Sequence, residues 1–162
     1  MSQQYEPAEV YLGLRGQALA LTRDLLDPAT ASEGSLLALL METGYPEAVA
    51  TLVGVADGTT SMYFSNGGGM IGAGQHEAVA AATRRWLELG EQALDQLPQA
   101  PGDVLLPDEG MTQLVAVTDS GLGAARAPEE ELGGGGHPLS ALFYAGHDVI
   151  TAIRLVDEGA AG

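Results

Sequence analysis

The sequence predicts a single α+β domain: a five-stranded antiparallel sheet flanked by helices, with an additional N-terminal helix. Three observations carry this reading. The chain has 162 residues, the size of one ordinary domain and too small for two independent cores. Apolar residues make up 46% and charged residues 17%, and the apolar ones recur periodically, which separates the chain from disordered or purely solvating acidic proteins. The extended runs fall into two antiparallel groups separated by a long helix, with Gly-containing turns inside each group. A parallel nucleotide-binding sheet would instead alternate strand and helix strictly.

Residues 6–26 read as the first helix, with Pro7 in its first turn and Asp27-Pro28 ending it. Val10, Leu14, Ala18, Leu21 and Leu25 form one apolar stripe, and Leu12, Leu19 and Leu26 form a second on the opposite side. Two stripes predict cover on both sides, from the helix's own domain and from another chain. A polar connector, residues 27–35, leads to the run Leu36-Leu37-Ala38-Leu39-Leu40-Met41. Periodicity cannot divide helix from buried strand over so few residues, but the ending Glu42-Thr43-Gly44-Tyr45-Pro46 favours a short helix. Residues 48–55 and 59–64 then form a hairpin around Asp57-Gly58. A Gly-rich stretch, residues 66–74, delivers the chain into a long helix over residues 75–97.

On that helix Val79, Ala82, Trp86, Leu89, Gly90, Ala93 and Leu97 face one way, while Ala80, Leu87 and Leu94 widen the apolar face to about half the circumference. Arg84 and Glu88, at (i, i+4) spacing, belong to its charged side. Beyond Pro98 and Pro101, residues 103–106, 111–118 and 122–127 read as three strands of a meander, separated by Asp108-Glu109-Gly110 and Asp119-Ser120-Gly121. Residues 129–136 read as a mobile loop, and His137-Pro138 opens a last helix to about Asp157. No internal repeat is visible. The division is an N-terminal helix and connector (1–32), an α+β core (33–157) and a tail (158–162) within one domain.

The net charge is −16, from 22 acidic residues against six arginines and no lysine. So few cations cannot neutralise a phosphate backbone, which argues against nucleic acid, and the same field repels anionic membranes. The acidic surface reads as solvation, or as a face for a cationic protein partner. Cysteine is absent, so disulfides, thiolate catalysis and Cys-type zinc sites are excluded. The opening MSQQYEPAEV has neither the basic region nor the apolar core of a signal peptide, and no apolar run nears the ~20 residues of a membrane span. A cytoplasmic protein is expected.

The segment Leu40-Met41-Glu42-Thr43-Gly44 closing a short helix, the hairpin Val49-Ala50-Thr51-Leu52-Val53-Gly54-Val55 turning at Asp57-Gly58, the long helix holding Trp86, and the meander with its terminal helix together resemble the roadblock / dynein-light-chain family of the profilin-like fold. The resemblance covers about residues 33–157 and is one of element order and turn placement. It implies a non-catalytic homodimeric module whose long middle helices pack together, of a kind that scaffolds or regulates small GTPases. Leu87 and Leu94, with Thr83 and Ala80, would then be dimer or partner contacts, while Val79, Trp86 and Ala93 would face the sheet. Burial of both stripes under the N-terminal helix is the alternative.

Other chemistry is weakly signalled. Gly67-x-Gly69-x-x-Gly72, with Gly74 beyond, follows a strand and precedes a helix, the context of a phosphate-binding loop. Its strand belongs to a hairpin, however, Asp108 and Glu109 lie well past the expected ~20 residues, and no lysine is available. A small nucleotide- or phosphate-binding protein is therefore the alternative reading, beside a flexible glycine loop. His76, His137 and His147 have no metal-ligand spacing, and Ser61, Ser65, Ser120 and Ser140 lie in no nucleophile elbow. Asp108, Glu109 and residues 129–131 read as solvated loop acids. The expectation is a non-enzymatic protein without cofactor or metal.

Overall fold

The structure, a computed structural model, describes residues 7–26, 34–70, 73–100 and 104–161. Its centre is β1, Leu36–Gly44, in which all nine residues are buried. β1 pairs on one side with β2, Val49–Val55, and on the other with β5, Met111–Thr118. β3, Thr60–Phe64, continues the sheet from β2, bordered by the two-residue β4, Gly69–Met70. β6, Gly121–Pro128, continues it from β5. The order β4-β3-β2-β1-β5-β6 is antiparallel throughout, so five strands form the body of an α+β fold.

Each face of the sheet has its own core. On one face lie α2, Glu77–Gln92, and α4, Ser140–Ala161, packed side by side. They cover Leu36, Leu39, Met41, Leu52, Leu114 and Ala116 with Val79, Trp86, Leu142, Phe143, Val149 and Ile153. Close approach needs small residues here. A Cβ on Gly54 of β2 would lie 3.0 Å from the Trp86 ring, and one on Gly90 of α2 would lie 2.8 Å from Leu39. On the other face α1, Glu9–Leu19, and residues 104–107 cover Leu37, Leu40, Val53, Val55, Val115 and Val117. Among the described residues no helix is long and apolar enough to cross a membrane.

The hairpin around Asp57-Gly58 forms as expected: Gly58 has φ +97° and the Asp57 carboxylate accepts the Thr59 N–H at 3.0 Å. Five other elements differ from the sequence reading. The helix expected at residues 36–44 is the central strand β1. A strand buried on both faces loses polar alternation and reads as a continuous apolar run. The strand expected at 103–106 is irregular over its described residues, 104–106, so the count of five holds by exchange. The first helix ends at Leu19, followed by a single turn of 3-10 helix at Arg23–Leu25. Its buried face is Tyr11, Arg15 and Ala18, while Val10 and Leu25 of the expected stripe are exposed. The long helix stops at Gln92, with a 3-10 turn at Leu94–Gln96. The expected 129–136 loop holds a short helix, α3, Glu129–Gly133. In place of the short helix and three-strand meander of the sequence reading, three long strands and the two-residue β4 precede α2 and two strands follow it.

The β6 edge is closed by the chain itself. Residues 98–100 run beside it, with the Ala100 N–H donating to the Leu122 carbonyl at 2.8 Å and the Ala124 N–H to the Pro98 carbonyl at 2.9 Å. Arg126 and Pro128 at its far end discourage pairing with another sheet. A Cβ on Gly123 would overlap the Leu97 carbonyl oxygen, whereas Gly16 in α1 has open space around it. Chemical denaturation should accordingly show opposite signs for the same substitution. Gly123→Ala is expected to lose ~1–3 kcal/mol by overpacking, and Gly16→Ala to gain up to ~1 kcal/mol from helix propensity.

Candidate functional site

Of the four residues expected at an interface, the structure brings two together. Ala80 and Leu87 are half-buried on one flank of α2, where a groove of about 820 Å³ runs beside the β2–β3 turn at Asp57-Gly58. Arg84, Glu88, Glu91 and Gln92 complete the α2 wall. Ala80, Arg84, Leu87 and Glu91 share one flank because they recur at four, three and four residues. The Glu91 carboxylate is fixed where β1 begins, accepting from the backbone N–H of Leu36 at 3.0 Å and from the Ser35 hydroxyl at 3.0 Å. The groove falls in the ~300–1,000 Å³ range of ligand clefts, but its wall is a helix flank open along its length.

Leu94 lies elsewhere, in a smaller cleft of about 260 Å³ with Leu97, Thr118 and Ser120. Thr83 faces inward: it is fully buried, and its hydroxyl meets that of Thr60 at 2.8 Å. Thr83 therefore joins α2 to β3 within the chain and offers no surface.

The glycine loop forms the β3–β4 turn. Gly67 has φ +104°, and a Cβ on Gly69 would lie 2.5 Å from the Met62 carbonyl oxygen. Both therefore have a reason to be glycine within the hairpin. Gly72 lies outside the described residues, and Gly74 sits in a 3-10 turn, Ala73–Gln75, between the loop and α2. His76 precedes α2 without a side-chain capping bond. The His137 Nδ1 accepts the Leu139 N–H at 3.0 Å, the geometry of a turn residue. The Ser140 hydroxyl donates to the Leu132 carbonyl at 2.8 Å, and that of Ser65 accepts the Val49 N–H at 2.8 Å. Among the described residues no three of His, Asp and Glu converge as metal ligands.

The most concentrated polar chemistry was missed by sequence reasoning. Thr51, Glu42, Gln113 and Arg126 stand in register on β2, β1, β5 and β6, forming a polar row across the sheet face under α1. Glu42 is fully buried. Its Oε2 accepts the Thr51 hydroxyl at 2.9 Å and the Arg15 Nε–H at 2.5 Å. Its Oε1 accepts the Gln113 amide at 2.7 Å and the Arg15 Nη2 at 2.9 Å. Arg15 Nη2 also donates to the Val104 carbonyl at 2.8 Å. Since the Thr51 proton goes to Glu42, the Tyr11 hydroxyl, 2.7 Å away, donates to Thr51. Burial works against charge on Arg15, but its hydrogen bonds to Glu42 and the carboxylate's charge outweigh that and hold the guanidinium above its ordinary value. The available signal was an acid ending an apolar run and an arginine one turn after Tyr11. It becomes readable once residues 36–44 are a strand.

Comparison with protein-family models, with curated proteins and with solved structures found no match.

Two measurements check this chemistry. Glu42→Gln leaves Arg15 buried without its counter-charge, and urea titration should show a loss of ~3–5 kcal/mol, as for other broken buried pairs. His147 lies beside the Phe143 ring, centroids 4.5 Å apart, and burial lowers its proton affinity against the opposing pull of Glu129 and Asp148. The unfolded chain then binds a proton the folded chain does not. Stability should fall as pH drops below ~6.5 and level off below the lowered folded value, a slope that His147→Gln should flatten.

Proposed function

We propose that this chain is a non-catalytic binding module that works as a homodimer, pairing through the groove flank of α2. The observation that carries the proposal is the self-complementarity of that flank. A two-fold interface sets each residue against its counterpart's surroundings. Around a two-fold axis near Leu87, antiparallel α2 helices would set the Leu87 side chains of both copies against each other in the middle. Arg84 of each copy would then face Glu88 and Glu91 of the other. Half-exposed apolar residues between exposed charges of both signs suit such a seam, with the charges fixing register more than affinity.

Leu94 and Thr83 have no part in this seam, one lying in a separate cleft and the other inside the fold. The roadblock-like resemblance extends the proposal to a further protein partner of the dimer, such as a small GTPase. The acidic, cysteine-free composition suits the cytoplasm, where the proposal places it.

Native mass spectrometry and sedimentation equilibrium test the pairing. The expected result is a dimer that Leu87→Glu converts to a monomer of unchanged circular dichroism. Arg84→Glu should weaken pairing by about tenfold, a typical ~1.4 kcal/mol, and the exchange Arg84→Glu/Glu88→Arg should restore part of it, the unchanged Glu91 withholding the rest. A parent chain that stays monomeric at high micromolar concentration, or a dimer indifferent to Leu87→Glu, overturns the proposal.

A further inference from the structure

We infer that the polar row under α1 is a guanidinium-recognition site, filled within the chain by Arg15, and that its partner is an arginine-bearing amphipathic helix of another protein, which replaces α1.

The site is built from the sheet side and does not need α1 for its shape. Glu42 is flanked in register by Thr51 and Gln113, each donating one hydrogen bond to it. Gln113 is itself fixed: its carbonyl accepts from Arg126 Nη2 at 2.7 Å, and its amide also donates to the Leu105 carbonyl at 2.8 Å. The carboxylate therefore keeps its orientation with Arg15 removed. The vacated position would offer two carboxylate oxygens and the Val104 carbonyl, the three acceptor atoms that Arg15 engages through Nε and Nη2. A planar fork satisfies all three, and a compact ammonium does not.

α1 is a weak occupant of this strong site. Gly13 and Gly16 lie in its interior with nothing packed against the position of a Cβ, and glycine is a poor helix former. Its N-terminus has no side-chain cap, and Val10 and Leu12 are 57% and 45% exposed. Tyr11 and Arg15, one turn apart, supply its side-chain bonds to the row. Around the row the sheet presents Leu40, Val53 and Val115, so any replacement must be amphipathic, with an aromatic residue and an arginine at (i, i+4). A chain of net charge −16 draws a cationic helix toward it. The row lies on the opposite face of the sheet from α2, so loss of dimer pairing leaves this inference intact.

The test uses the full chain carrying Arg15→Ala, with Arg15→Met as a second variant that retains side-chain volume. Methylguanidinium at millimolar concentration should raise the melting temperature of either variant, and methylammonium at equal ionic strength should not. Adding Glu42→Gln should abolish the difference. A labelled peptide of residues 7–26 should bind the Arg15→Ala chain at least tenfold more tightly than the parent chain, and lose at least tenfold when the Arg15 position of the peptide, but not Arg23, is lysine. Equal rescue by the two cations, rescue by neither, or peptide binding indifferent to its Arg15 overturns the inference.

Discussion

The fold turns on one buried carboxylate. Glu42 sits at full burial in the central strand, where an uncompensated charge would cost several kcal/mol. The chain meets it with four hydrogen bonds from three elements: α1, β2 and β5. Much else follows from that demand. Arg15 must reach down from α1, which seats the N-terminal helix. Gln113 must stand opposite, and Arg126 holds Gln113. The otherwise irregular residues 104–107 are drawn in because their carbonyls satisfy donors of Arg15, Gln113 and Arg126. An apolar residue at position 42 would suit the core as well in burial alone, but it would leave α1 and the row without a common register.

The two faces of the sheet are held by different physics. Under α2 and α4 the contact is dense and apolar, and glycines at 54 and 90 set how closely helix and sheet approach. The polar groups there include paired hydroxyls, Thr60 with Thr83 and Thr43 with Thr112. Under α1 the polar row gives orientation, and the surrounding Leu and Val residues give burial. A directional network specifies one seat for a helix, whereas apolar packing alone tolerates sliding.

The same contrast separates the two surfaces with binding character. The α2 flank lies at the surface, and the proposed pairing uses its mixture of half-buried apolar and oppositely charged residues. The α1 face is covered now, and its recognition chemistry is satisfied internally. Both rest on side chains from several elements, so neither forms a contiguous motif.

What was legible in the sequence was whatever depends on neighbours in the chain. The 48–64 hairpin follows from Asp57-Gly58 between β-branched runs, and α2 follows from the helical recurrence of Val79, Ala82, Trp86, Leu89 and Gly90. The α+β class follows from grouped strands around that helix. The central strand was not legible, because burial on both faces removes the alternation that marks a strand. Nor was the polar row: Arg15, Glu42, Gln113 and Arg126 are separated by 27, 71 and 13 residues, and only sheet register makes them neighbours. It also took the tertiary structure to separate Ala80 and Leu87 from Thr83 and Leu94. Spacing along a helix fixes which residues share a side, but what packs against that side decides which of them remain at the surface.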